Sequence, residues 1–279
     1  MTGATHGILV GYDGSPGSER ALCWAVREAY YHGSVLTVCH AHAAGGAGAP
    51  HGDAGGPGDE QHPGEQFAAA LRFAQNILGS GQARPLLAAG PAARVLCGYS
   101  VDADMVVVGA RGRDTLPGSA LGPVSQQVCA HASGRVVVVR GHWQPAAEYA
   151  PGMVVVGNDG SGAAHAAMAF AAEEAALREV PLLAVCALAD SPGSLDGAHR
   201  MQEAFDDGLA WWEKKHPELT ILRRVTPGQP RTALLEAARD AQLLVVGSRG
   251  RGGLAGMALG SVSRAMLHRA PCPVAVVHP

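Results

Sequence analysis

Two stretches of this sequence could hold a phosphate. One, from Val245 to Ser263, reads VVGSRGRGGLAGMALGSVS; the other, from Val107 to Ser125, reads VVGARGRDTLPGSALGPVS. Each has an apolar run, then Gly-x-x-Gly, nine residues and a further Gly. Gly247 and Gly250 let the backbone approach a ligand closely and take positive φ where needed. Gly260-Ser261-Val262-Ser263 lies directly before the amphipathic segment 264–268. That puts successive N–H groups and two hydroxyls at the start of a helix, an arrangement suited to anions. Arg249 and Arg251 add positive charge. In the other stretch Gly122 is followed by Pro123, which brings neither N–H nor hydroxyl. Asp114 stands there in place of Gly252 and adds repulsion.

Asp13 and Asp159 form a second matched pair, in ILVGYDGS (Ile8–Ser15) and VVVGNDGS (Val154–Ser161). A carboxylate at the end of a strand can accept hydrogen bonds from ribose hydroxyls, or it can organise an Asp-Gly-Ser turn. The sequence leaves both readings open. A P-loop is excluded, since neither Gly stretch contains a lysine and no G-x-x-x-x-G-K-[ST] occurs, and the G-x-G-x-x-G of a Rossmann fold is missing after the first strands. The thirteen histidines supply no Ser/His/Asp constellation at these loops, so efficient hydrolysis is not indicated. His40, His42, His51 and His62 fall in a Gly/Pro-rich insertion, residues 40–65, at spacings that fit no standard metal site.

The loops must be presented by something, and the repetition says what. The order of matching blocks, from Asp-Gly-Ser through DADMVVVG and DAQLLVVG to the closing RVVVV and PVAVV, describes one domain written twice. Domain 1 is expected over residues 1–141, a linker over 142–152 and domain 2 over 153–279. In each, short β-branched runs (Ile8–Val10, Val35–Cys39, Met105–Val108; Val154–Val156, Leu182–Cys186, Leu243–Val246) alternate with segments of helical apolar spacing. Helices are predicted over about Phe67–Leu78 and Gln202–Lys215, among others. Continuous apolar strands with intervening helices predict α/β architecture: two tandem doubly wound domains, each a parallel sheet covered on both faces. Ligands of such sheets bind beyond the carboxyl ends of the strands, which is where Asp13, Asp159 and both Gly loops fall.

Composition narrows the partners. The formal net charge is −3 and charged residues are 16%, so no basic field marks a nucleic-acid binder. No apolar run approaches a membrane span. The six cysteines form no C-x-x-C pair, and residues 1–7 lack the basic start and apolar core of a signal peptide. A soluble cytoplasmic protein with reduced thiols is expected.

The ordered set of motifs, occurring twice, resembles the universal stress protein family in its tandem form. That family's nucleotide motif, G-x-x-G, nine residues, then G-[ST], is met in full by Gly247, Gly250, Gly260 and Ser261. The resemblance implies a five-stranded parallel sheet in each domain and ATP, with or without Mg2+, at the strand ends. It puts the phosphates on Gly250, Arg251, Gly260, Ser261, Val262 and Ser263, the ribose by Asp159 and Gly247, and adenine near Ala187 and Val246. The matching positions of the first copy are Asp13, Ala41, Val108, Gly109, Gly112, Gly122 and Ser125. It also implies pairing through the last strand, here within one chain, with a homodimer as a further option. Pro123 marks the first site as weakened. The expected function is ATP-dependent regulation in a stress response. The alternatives are a slow ATPase of this fold or a stress protein that works through partner contacts alone. The Ser-Gly-Gly-x-Asp-Ser loop of adenylating relatives is missing.

Overall fold

The computed structural model describes residues 6–42, 63–113, 115–116, 118–140, 152–188, 195–251 and 258–279. Domain 1 contains β1 (Ile8–Gly11), α1 (Pro16–His32), β2 (Leu36–His42), α2 (Pro63–Leu78), β3 (Ala83–Ala89), α3 (Ala92–Tyr99), β4 (Met105–Gly109), α4 (Pro123–His131) and β5 (Arg135–Val139). Domain 2 repeats the order: β6 (Met153–Gly157), α5 (Gly162–Leu177), β7 (Leu182–Leu188), α6 (Leu195–Lys215), β8 (Ile221–Pro227), α7 (Pro230–Ala237), β9 (Ala241–Gly247), α8 (Ser261–Arg269) and β10 (Val274–Val277).

Each domain is a five-stranded parallel sheet, and the two join into one ten-stranded sheet of order β3-β2-β1-β4-β5-β10-β9-β6-β7-β8. The seam is antiparallel, with Val138 opposite Val274 and Val136 opposite Val276. Strand order reverses between β1 and β4, and again between β6 and β9. Those two reversals open a crevice at the carboxyl ends. One apolar layer holds residues of α1, α2, α5 and α6, and the other holds residues of α3, α4, α7 and α8. Each layer runs unbroken across both domains, so both faces of the sheet are covered.

The turns after β1 and β6 follow from Asp-Gly-Ser. Ser15 and Ser161 cap α1 and α5, accepting the N–H of Ser18 and of Ala164 at 3.2 Å each. Gly14 and Gly160 have φ of 76° and 72°, a left-handed conformation that favours glycine. The insertion is narrower than the expected 40–65. β2 continues through His42 because its backbone stays paired with β3 as far as Ala89, and α2 begins at Pro63. His51 and His62 lie outside the described residues.

Where the domains meet, α1 and α5 share four buried or half-buried polar residues. Arg178, at the end of α5, bonds Glu28 through Nη2 and Glu174 through Nη1, and both carboxylates are fully buried. His32 Nε2 lies 2.9 Å from Glu174 Oε1. Glu28 stands to Glu174, and His32 to Arg178, as Asp13 stands to Asp159, so this is a pseudo-symmetric contact carrying unlike residues. No described helix is long and apolar enough to cross a membrane.

Candidate functional site

Beyond the carboxyl ends of β6 and β9 lies a cleft of about 550 Å³. That is within the range of small-molecule sites. Ala187, Val185, Leu234 and Val246 form its apolar wall, and the polar side is the turn after β6 and the start of α8. Gly260 occupies the cap position of α8 and offers no side chain. The N–H groups of Ser261, Val262 and Ser263 therefore have no acceptor among the described residues, and neither does that of Gly250. All four line the cleft.

The Gly loop is held in place by two side chains. Asp159 accepts the N–H of Ser161 at 3.0 Å with one oxygen and that of Arg251 at 2.9 Å with the other. Ser263 Oγ donates to the carbonyls of Gly247 and Ser248, at 2.8 and 3.1 Å. The Ser263 hydroxyl is thus committed to the end of β9, whereas that of Ser261 has no partner among the described residues. Of the two readings of Asp159, the structure bears out the turn-organising one, and the residue also lines the cleft.

The loop glycines do not serve the positive φ expected of them. Neither Gly247, Gly250 nor Gly260 has positive φ. A Cβ on Gly247 would come within 2.8 Å of the Ala163 carbonyl carbon, and one on Gly250 would collide with Asp159 Oδ2. They are needed for close approach of α5 and of the carboxylate. Arg251 lays its guanidinium over Gly160, with Nη1 3.8 Å from Met201 Sδ.

The first cleft keeps the scaffold and loses the room. It occupies about 90 Å³ beside Asp13, Ala41, Val108, Gly109, Gly112, Gly122, Pro123 and Ser125. Asp13 again ties the turn to the loop, accepting Ser15 N–H at 2.9 Å and Arg113 N–H at 3.1 Å. Burial opposes its charge, but these hydrogen bonds outweigh burial and hold the Asp13 carboxyl below its ordinary range. Ser125 Oγ donates to Gly109 O at 2.6 Å, matching Ser263.

Two N–H donors are gone from the first cleft. Pro123 opens α4 without an N–H, and Gly112 N–H is taken by Thr115 Oγ1 at 3.0 Å. Thr115 stands where the second copy has Gly253, a position outside the described residues, as is Asp114. Arg113 donates to Gln66 on α2 at 2.7 Å and so lies across the Asp-Gly-Ser turn. Tyr12 replaces Asn158 and packs on Phe67, while His40 Nδ1 donates to Tyr12 O at 2.9 Å. His40 is thereby structural. Thr115, Gln66 and Tyr12 escaped the sequence reading, although Thr115 against Gly253 was a visible difference.

Other chemistry finds little support. All six cysteines are free, and burial pushes the Cys39 thiol up to about 11 and those of Cys129 and Cys272 to about 12. Among the described residues Glu28, His32 and Glu174 are the one group close enough to share a cation, and Arg178 already supplies their positive charge.

Fold and clefts together define a tandem α/β protein built from two copies of one domain, each with a Gly-loop crevice at its strand ends. The chain belongs to the universal stress protein family, whose model matches residues 5–140 and 153–278. A universal stress protein of Mycobacterium tuberculosis (strain H37Rv) is 36% identical over 287 residues, covering 97% of this chain and 96% of its own. One from Mycolicibacterium smegmatis is 38% identical over 288 residues, covering 98% and 97%. A solved universal stress protein from Archaeoglobus fulgidus aligns with a TM-score of 0.70 at 20% identity over 98% of both chains, a likeness of fold.

Proposed function

We propose that this protein is a nucleotide-dependent regulator whose second cleft binds ATP, with or without Mg2+, while its first cleft has departed from that task. The carrying observation is that the N–H groups of Gly250, Ser261, Val262 and Ser263 have no acceptor among the described residues and line a cleft of suitable volume. Gly260 allows phosphate close to the helix start, where backbone N–H groups and the dipole favour anions. Arg249 and Arg251 border that end. Asp159 and the Gly247 edge would meet the ribose, and Ala187 and Val246 would flank the base.

In this reading ATP acts by being bound, and turnover is slow or absent. The protein works in the cytoplasm. Its last strands are already paired with each other, so a homodimer would have to use another face. The test is to identify the nucleotide that stays with the full chain through purification and follow it for hours at 25 °C. Retained ATP is expected. Stoichiometric conversion to ADP would favour the slow ATPase, and absence of any bound nucleotide, with no uptake on addition, would favour action through partner contacts alone.

A further inference from the structure

The helix that begins in the second cleft ends against the first domain. α8 has nine residues, a length of about 13 Å. Its last carbonyls lack intrahelical donors, as at any helix end. Arg140, just after β5, supplies them: Nη1 donates to Leu267 O and Nη2 to His268 O, the latter at 2.9 Å. The arrangement is reciprocal. His278, just after β10, is the sequence counterpart of Arg140, and its Nε2 donates to Cys129 O near the end of α4, at 3.1 Å. The antiparallel seam brings this crossing about: Arg140 and His278 each follow a last strand and reach the end of the other domain's α8 or α4.

The two crossed contacts are unequal in the same sense as the clefts. α8, with Gly260-Ser261 at its start, receives a cation and two hydrogen bonds. α4, with Gly122-Pro123 at its start, receives one bond from an imidazole; burial lowers its pKa, the bond to Cys129 O opposes that, and Arg249 lowers it further. A cation at a helix C-terminus opposes the negative end of the dipole, and two bonds from a planar guanidinium fix the helix in rotation and along its axis.

We infer that Arg140 of the first domain is a positioning residue for the phosphate-binding end of α8 in the second. The inference rests on the proposed ATP site and assigns it a dependence on the neighbouring domain. Arg140 would act on phosphate and not on the nucleoside, since the base and ribose contacts lie on β6, β7 and β9.

The test uses the full chain and two ligands, ATP and adenosine, titrated against the unmodified protein, Arg140→Met and Arg140→Lys. Arg140→Met is expected to weaken ATP about fivefold and leave adenosine unchanged. Arg140→Lys keeps the charge and one donor, so it should recover part of the loss; it also serves if the Met variant fails to fold. An unchanged ratio of ATP to adenosine affinity in the substituted chains would overturn the inference. So would an equal loss for both ligands, which a purely structural role predicts. Failure of the unmodified chain to bind ATP would overturn the proposed function along with it, whereas ATP binding with an unchanged ratio overturns the inference alone.

Discussion

In the first cleft Gly112 gives its N–H to Thr115 and α4 starts on a proline; in the second, Gly250 and the first three residues of α8 keep theirs free among the described residues. Around that difference the clefts are alike. Asp13 and Asp159 each bind a serine and an arginine N–H, and Ser125 and Ser263 each bond the carbonyl ending the fourth strand. Gly109 and Gly247 each admit the first helix of their own domain. The comparison separates two kinds of motif residue. Those that hold the loop in the fold are present in both copies, and those that leave N–H groups without an acceptor among the described residues are present in one. A Gly-x-x-Gly match therefore reports the domain, and the residue directly after the third glycine, Pro123 or Ser261, distinguishes the copies.

The copies also differ where they touch, and that contact offers the largest test. Arg178 serves two buried carboxylates, where its counterpart His32 serves chiefly one. Arg178→Met leaves Glu28 and Glu174 buried with little compensation, and denaturant unfolding should show a loss of about 3–5 kcal/mol. His32→Gln should cost clearly less. Equal losses would mean that the two halves contribute equivalently to the junction.

The same junction sets a pH dependence. Burial pushes Glu28 up to about 7 from an ordinary 4.5, with Glu174 raising it further against the pull of Arg178 and Arg27. The folded state then holds a proton that the unfolded chain releases, so stability falls as pH rises from 4.5 through 7. For His32 burial acts against the charge, but Glu174 and Glu28 outweigh it and raise the pKa, so its contribution is also lost as pH rises. Glu174 works at the other end. Burial opposes its charge, yet Arg178 and His32 hold it down to about 2, so its contribution is present above 4.5 and lost on acidification. Unfolding midpoints of Glu28→Gln should be flatter between about pH 5 and pH 8 than those of the unmodified protein. Parallel curves would contradict this assignment.

At the clefts, exchanging the distinguishing residue should move the second copy toward the first. Ser261→Pro removes one N–H and one hydroxyl from the start of α8 and should cost about tenfold to a hundredfold in ATP affinity by equilibrium titration. The reverse exchange has a smaller expected effect. Pro123→Ser restores one N–H and one hydroxyl but strengthens binding by less than about tenfold, since Thr115 still occupies the Gly112 N–H and the cleft remains the smaller one. Adding Thr115→Ala should increase the gain. A full recovery from Pro123→Ser alone would show that volume and Thr115 do not limit the first cleft.

Much of this was legible in the residues. Strand and helix periods, the repeated blocks and the position of both loops at the strand ends all follow from patterns within one domain. What could not be read depends on residues that meet only after folding. Thr115 capturing a loop N–H is a matter of side-chain direction within an irregular turn. The Glu28–Arg178 junction and the Arg140 and His278 contacts join positions more than a hundred residues apart and exist only because β5 and β10 pair antiparallel. The positive φ expected of Gly247 and Gly250 is not found, and both admit close packing that only the folded chain brings together. His40 and His42 were assigned to the insertion, because the sheet pairing that extends β2 is invisible in the Ala- and His-rich sequence there.

The most direct test of unequal clefts is the stoichiometry of ATP binding by the full-length chain, measured by calorimetric titration with ligand well above the dissociation constant. The structure predicts one tight equivalent per chain, abolished or greatly weakened by Ser261→Pro and unaffected by Gly112→Ala. Two equivalents of similar affinity, or a single one that survives Ser261→Pro and disappears with Gly112→Ala, would contradict it.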